Sequence, residues 1–292
     1  MSSVLVEPAY AKVNLTLRVL GKRVDGYHDI ESLVVFARVA DQVALLPADQ
    51  LGLFVHGPTG SAAGDVADNL VLRAAHALAA RVAGLRLGHF TLTKHIPVAA
   101  GLGGGSADAA AALRLIAQLN GLARDDARLL DAARAIGADV PVCLDRHPRV
   151  MRGIGEILSP AFDLPALPAL LVNPGVPVPT KDVFARLGLA PGDRRDVASD
   201  VDPVRLKDRD GLFAYLKSQP NDLEAPAVAL QPVIADVLAA LGRRSDCLLA
   251  RMSGSGATCF GLFASGAAAT TVAKELQATH PEWWIKATEF GG

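Results

Sequence analysis

Gly101, Gly103, Gly104 and Gly105 stand directly before Ser106 and an alanine-rich run. Glycine admits φ > 0 and lets a backbone approach a ligand closely. Consecutive N–H groups of such a loop can turn toward one anion. A helix opening at Ser106 would add unpaired N–H groups and the positive end of its dipole. The chemistry this pattern suits is phosphate binding. Ser106 could cap that helix or offer its hydroxyl to a phosphate-bound Mg²⁺. Asp108, in the first turn, could reinforce the cap or face the metal; the sequence leaves these open. The G-x-x-x-x-G-K-[ST] loop is absent, because Ser106-Ala107 stand where Lys-Ser/Thr is required. A dinucleotide fingerprint needs a glycine at 106 and a continuously apolar lead-in strand, whereas Thr91, Thr93 and His95 interrupt this one. A flexible turn joining strand to helix is the plain alternative.

Lys12 and Asn14 lie two residues apart in an alternating stretch. They share one face of a strand, with Cα atoms about 6.6 Å apart. Taken alone, such a face is most simply solvated. Asp139 follows Gly137-Ala138 and precedes Val140-Pro141, a setting that by itself suits a turn former. Tyr27-His28 follows a turn-rich stretch, Gly21 to Gly26, in a chain that is only 5% aromatic.

The elements that must position these groups read as a mixture of strands and helices without regular βαβ spacing, hence α+β. Strands are expected over residues 11–19, 30–38, 41–46 and 90–96. Helices are expected over 69–83, 106–119 and 125–136, the last ending at Gly137. Pro160, Pro165 and Pro168 mark a domain boundary, dividing the chain into 1–158 and 159–292. Beyond it come a strand at 170–173, a short helix from Lys181, a charged loop over 191–210 and a helix over 228–241. Strands at 247–252 and 258–263, a helix at 267–279 and a strand at 283–288 close the chain.

Lys plus Arg number 29 and Asp plus Glu 30. That balance gives no support for nucleic acid or a membrane surface as partner. Three cysteines, none in a C-x-x-C pair, argue against a disulfide framework or structural zinc and fit a reducing cytoplasm. The first ten residues lack the pattern of a signal peptide. Residues 252–273 carry no charge and are long enough to span a bilayer. Their four glycines and several Ser/Thr suit a glycine loop, a strand and a helix start better.

Taken together, three motifs resemble the GHMP kinases, the superfamily of galactokinase, homoserine kinase and mevalonate kinase. They are Ala11-Lys12-Val13-Asn14-Leu15, Pro97-Val98-Ala99-Ala100-Gly101-Leu102-Gly103-Gly104-Gly105-Ser106-Ala107, and Ser253-Gly254-Ser255-Gly256-Ala257-Thr258. Residues 21–28 and 137–142, with Gly153-Ile154-Gly155-Glu156 and Pro174 to Thr180, are similar to the branch acting on a cytidine-diphosphate-linked methylerythritol. The resemblance covers nearly the whole chain and is weakest over 191–210. It implies an ATP- and Mg²⁺-dependent phosphorylation of that small molecule's 2-hydroxyl, a step of non-mevalonate isoprenoid precursor synthesis.

It also implies roles. Asp139 would be the general base. Lys12 would hold it ionised and stabilise the developing alkoxide, as a nearby cation does for a carboxylate. The 97–107 motif, Asn69 and Lys94 would bind ATP, with Ser106 a candidate metal ligand. Tyr27 and Phe184 would sandwich the cytosine, and His28 would read its edge. Asn14, Thr180 and Ile154 would complete the substrate side. The implied architecture is a two-domain GHMP kinase fold, ribosomal protein S5 domain 2-like then ferredoxin-like, with the active site in the cleft between the domains. Ala99-Ala100 stand where many relatives carry glycines, and His147-Pro148 replaces a glycine-type turn of some relatives. Another kinase of the superfamily, a non-catalytic nucleotide-binding regulator and a dinucleotide-dependent oxidoreductase are the rival readings.

Overall fold

The alternation around Lys12 builds a strand whose two faces are both covered. Ala9, Ala11 and Val13 are buried, and so are Lys12 and Asn14 on the opposite side. A computed structural model describes residues 3–195 and 201–291. Its strands and helices run β1 (Leu5–Asn14), β2 (Arg18–Lys22), β3 (His28–Pro47), β4 (Gly52–His56), α1 (Leu70–Ala79), β5 (Gly88–Thr93), α2 (Gly104–Asn120), α3 (Ala127–Ile136), α4 (Val140–Asp145), β6 (Arg149–Gly153), β7 (Ile157–Leu158) and β8 (Leu167–Asn173). They continue α5 (Thr180–Ala185), α6 (Pro203–Leu206), α7 (Arg209–Ser218), α8 (Glu224–Leu230), α9 (Val233–Gly242), β9 (Cys247–Met252), β10 (Cys259–Phe263), α10 (Gly266–Thr279) and β11 (Trp284–Phe290).

Two compact units emerge, each assembled from separated stretches. The first takes the chain up to Lys12, Val39–Val98 and Gly103–Arg146; the second takes Val13–Arg38, Ala99–Leu102 and the chain from His147 onward. The 158/159 division drawn from the sequence falls inside the second unit.

In the first unit, residues 42–47 of β3 pair antiparallel with β5, and β4 pairs parallel with β5. Helix α2 packs against α1, α3 and α4. Alanine is the best helix former, and Ala107 and Ala109 to Ala112 are all buried in this helix. Their small side chains let neighbouring helices approach closely. Helix α2 begins at Gly104, with Gly103 at the N-cap in the left-handed region. It therefore starts two residues before the expected Ser106, which sits in the first turn and is not the cap.

In the second unit, β3 pairs through its first half with β2 and β6. Strands β11-β8-β10-β9 form an antiparallel sheet. Numbered within that sheet the order is 4-1-3-2, the ferredoxin-like arrangement. Val172, Ile234, Val237, Phe263, Leu276 and Trp283 lie in its core.

Several expectations change here. The strands predicted at 30–38 and 41–46 are one continuous β3. The loop expected over 191–210 contains α6 and the start of α7, capped by Asp202 and Asp208 side chains; residues 196–200 lie outside the described residues. The helix expected over 228–241 is broken at Gln231-Pro232, because proline has no N–H to donate. Among the described residues no helix is long and apolar enough to cross a membrane.

Candidate active site

Lys12 lies near the end of β1, and α3 ends at Gly137 just before Asp139, the N-cap residue of α4. The Lys12 Nζ donates to Asp139 Oδ2 at 2.9 Å. The amine side chain is 5% exposed and the carboxylate 38%, so the acid is reachable and its partner is enclosed. The glycine loop lies against the same lysine. A Cβ built on Gly103, whose φ is +60°, would come within 3.2 Å of Lys12 Cε. Among the described residues, none of the N–H groups from Gly103 to Ser106 donates a hydrogen bond; the first to do so is Ala107, to Gly103 O at 2.9 Å. Such a row of unused donors at a helix start suits an anion.

Behind the loop is a buried charge cluster. Lys94 Nζ donates to Asp108 Oδ2 at 2.7 Å and also to Asp41 Oδ2. Asp41 Oδ1 accepts from the N–H of His95 at 2.5 Å and of Ile96 at 2.8 Å. A Cβ on Gly104 would lie 3.5 Å from Lys94 Nζ. The Lys94 side chain, expected beside ATP, is thus turned inward beneath the loop. Burial works against its ammonium, and the two carboxylates more than offset that, holding its pKa above the ordinary lysine value. Burial, reinforced by Asp41, pushes the Asp108 carboxyl up to about 7. Sequence reading missed Asp41; its only trace is an acid inside a strand.

Asn69 caps α1 through its side chain, which accepts from Val71 N at 3.0 Å. A Cβ on Gly105 would meet Leu70 Cδ1 at 3.4 Å, so the start of α1 abuts the loop. Val98, on the loop approach, is 41% exposed. Ser106 sits in the first turn of α2 with no hydrogen bond from its hydroxyl among the described residues. No group of three or more His, Cys, Asp or Glu side chains is placed to hold a metal ion among them. The Ser106 hydroxyl is an oxygen donor of the kind a hard cation takes beside waters and phosphate oxygens.

Within the second unit, the loop entry is tied to the other glycine motif. Ser253 Oγ donates to Gly101 O at 2.9 Å. Thr258 N donates to Ala100 O at 3.1 Å. Gly101 has φ +75°, and a Cβ there would run into the Ser253 carbonyl. Asn221 Nδ2 donates to Met252 O and Gly254 O at 2.8 Å each, holding the motif from behind. Asn14 N donates to Ser253 Oγ at 3.1 Å, and Asn14 Nδ2 to Ser32 Oγ at 2.7 Å. Thr180 Oγ1 and Ser255 Oγ are 2.8 Å apart. Ser32 and Asn221 carry no motif and escaped the sequence reading.

The rings of His28 and Phe184 lie 4.7 Å apart, tilted by 31°. His28 Nε2 is buried without a hydrogen-bond partner. Burial, and then the Lys22 charge, lower the His28 pKa, favouring the neutral ring. Tyr27 is 60% exposed beside it in sequence. Ile154 lies in the turn after β6, its N–H donating to Glu156 Oε2 at 2.6 Å.

Comparison with known proteins places these groups in a family. The model of the GHMP kinases N terminal domain matches residues 69–146, and that of the GHMP kinases C terminal domain matches 202–282. The chain is 55% identical to a 4-diphosphocytidyl-2-C-methyl-D-erythritol kinase of Rhodopseudomonas palustris (strain BisB18), over 98% of this chain and 95% of that relative. It is 57% identical to the enzyme of the same name from Methylobacterium radiotolerans, over 98% and 99% of the two chains. A crystal structure of 4-(cytidine 5'-diphospho)-2C-methyl-D-erythritol kinase superposes with a TM-score of 0.74 at 32% identity, covering 99% of this chain and 100% of that one. Homoserine kinase from Cytophaga hutchinsonii shares the fold, with a TM-score of 0.70 at 21% identity over 99% and 96% of the chains.

Proposed function

The chain belongs to the 4-diphosphocytidyl-2-C-methyl-D-erythritol kinases of the GHMP kinase family, and on that footing we propose that it transfers the γ-phosphoryl group of ATP to the 2-hydroxyl of 4-diphosphocytidyl-2-C-methyl-D-erythritol. Phosphoryl transfer asks mainly for positioning and charge neutralisation. The N–H groups of Gly103 to Ser106 receive the triphosphate, and the 97–107 segment with Asn69 borders the rest of the nucleotide. Asp139 Oδ accepts the proton of the acceptor hydroxyl as that oxygen attacks phosphorus. Lys12 keeps the carboxylate aimed and faces the oxygen's growing charge. Ser106 Oγ would be the protein ligand of a Mg²⁺ ion, which would supply further charge neutralisation.

On the substrate side, Phe184 offers a face on which cytosine stacks, with Tyr27 closing over the other face. A neutral His28 has one donor and one acceptor nitrogen, and the partnerless Nε2 is available to the base's polar edge. Asn14, Thr180 and Ile154 contact the sugar alcohol and its diphosphate. Lys94 acts on the nucleotide indirectly, by supporting the loop.

The observation that supports this most is the 2.9 Å Lys12–Asp139 pair lying against a loop with unused N–H donors. A coupled ADP-release assay tests it. The cytidyl substrate should give a kcat/KM at least about a hundredfold above mevalonate or homoserine. Equal turnover of all three, or no ADP release with any, would overturn the reading.

A further inference from the structure

The first unit contains a second concavity, about 490 Å³, lined by β1, the later turns of α2, the α2–α3 connection, α3 and α4. Its volume lies in the range of small-molecule sites. Arg114, which lines it, lies ten residues beyond Gly104, about 15 Å along α2 at 1.5 Å per residue. This is a different place from the phosphate loop.

Two kinds of surface meet in it. Leu122, Leu129 and Leu144 supply apolar wall. Against them stand Arg114 and Arg124, with Glu7 the one carboxylate among the lining residues. Arg114 is 8% exposed. It donates to the Cys143, Leu144 and Pro8 carbonyls at 2.8, 3.3 and 3.2 Å, and to Glu7 Oε2 at 3.3 Å. The same Glu7 oxygen is also 3.6 Å from Arg146. One half-buried acid is therefore shared by two guanidiniums, leaving local positive charge in excess. Arg124 adds to it; it is exposed and forms no ion pair among the described residues. Burial, and then the Arg146 charge, press the Arg114 pKa below its ordinary value.

From this juxtaposition we infer that the cavity binds a small organic anion: an apolar body against the leucines and a single carboxylate or phosphate group against the arginines. A wholly apolar ligand would leave the charge excess unmatched. An inorganic anion would leave the apolar wall wet. A cation would add to the imbalance.

The probe is octanoate, with octyl phosphate, octan-1-ol and octylammonium as comparators, followed by calorimetry and amide chemical-shift changes on the full chain. Octanoate or octyl phosphate should bind saturably at one site, and octan-1-ol and octylammonium at least about tenfold more weakly. The better of the two anions tells carboxylate from phosphate. Arg124→Glu, a surface change, should weaken the anion at least tenfold with an unchanged melting temperature. Gln118→Trp, at an exposed position of the same lining, should fill the cavity and abolish binding. Octan-1-ol or octylammonium binding as tightly as either anion, no effect of either substitution, or displacement by MgATP would overturn the inference. Because the readout is binding, such a failure leaves the kinase reading untouched.

Discussion

Asp139 reaches solvent through a carboxylate whose position is set by an enclosed lysine, and that asymmetry decides what each residue can do. Asp139→Asn keeps the shape and removes the proton acceptor. It is expected to lower kcat on the order of 10² or more, the usual contribution of a positioned base, with MgATP binding retained in calorimetry. Near-normal turnover would show that the base lies elsewhere. On the substrate side, Phe184 presents a ring face already oriented by His28. Phe184→Ala should weaken the cytidyl substrate by about 1–3 kcal/mol, the value of one base–aromatic stack, measured as its Kd with MgATP affinity unchanged. At this scale the residue types were readable in advance. The glycines were legible from their own chemistry, whereas Lys12, Asp139 and His28 became candidates through the resemblance to a kinase family. Asp41, Ser32 and Asn221 were not. A buried acid, hydroxyl or amide acquires meaning only from the partner it meets.

At the scale of elements, the loop and α2 are held by what lies beneath them. Asp41 on β3, Lys94 after β5 and Asp108 on α2 pin three elements at one point, with two carboxylates and one ammonium out of water. The unfolded chain binds the Asp108 proton only below about 3.8, whereas the folded chain keeps it to about 7. The native state therefore holds the extra proton across that window. Its stabilising effect is complete below the lower value and is lost as pH rises through the upper one. Asp108→Asn still accepts from Lys94 but cannot titrate. Its melting temperature relative to the parent protein should therefore rise from pH 5 to pH 8. A constant difference across that range would remove Asp108 as the titrating group. Element positions were readable where periodicity was long, as in α1, α3, β9 and α10. They failed where a single residue outweighed the pattern. Pro232 split one predicted helix, and Gly103 moved the start of α2 ahead of Ser106.

For the whole molecule, the arrangement of strands is the part no local pattern reveals. The apolar runs of β8 and β10 predict buried strands, yet the 4-1-3-2 order follows from which strands find one another. The compact units also interleave along the chain. What the sequence determined by itself was the kind of chemistry: a glycine-rich anion loop before a helix, an amine and an acid of suitable type, and an aromatic–imidazole pair, in the order of a known kinase family. What only the tertiary structure decided was proximity. Lys12 and Asp139 are 127 residues apart, and their contact depends on β1 and α4 being brought side by side. Residue identity acts through covalent structure and short-range torsions, which a sequence displays directly. Proximity across such a separation emerges from the burial of whole elements, and it cannot be read from either residue alone.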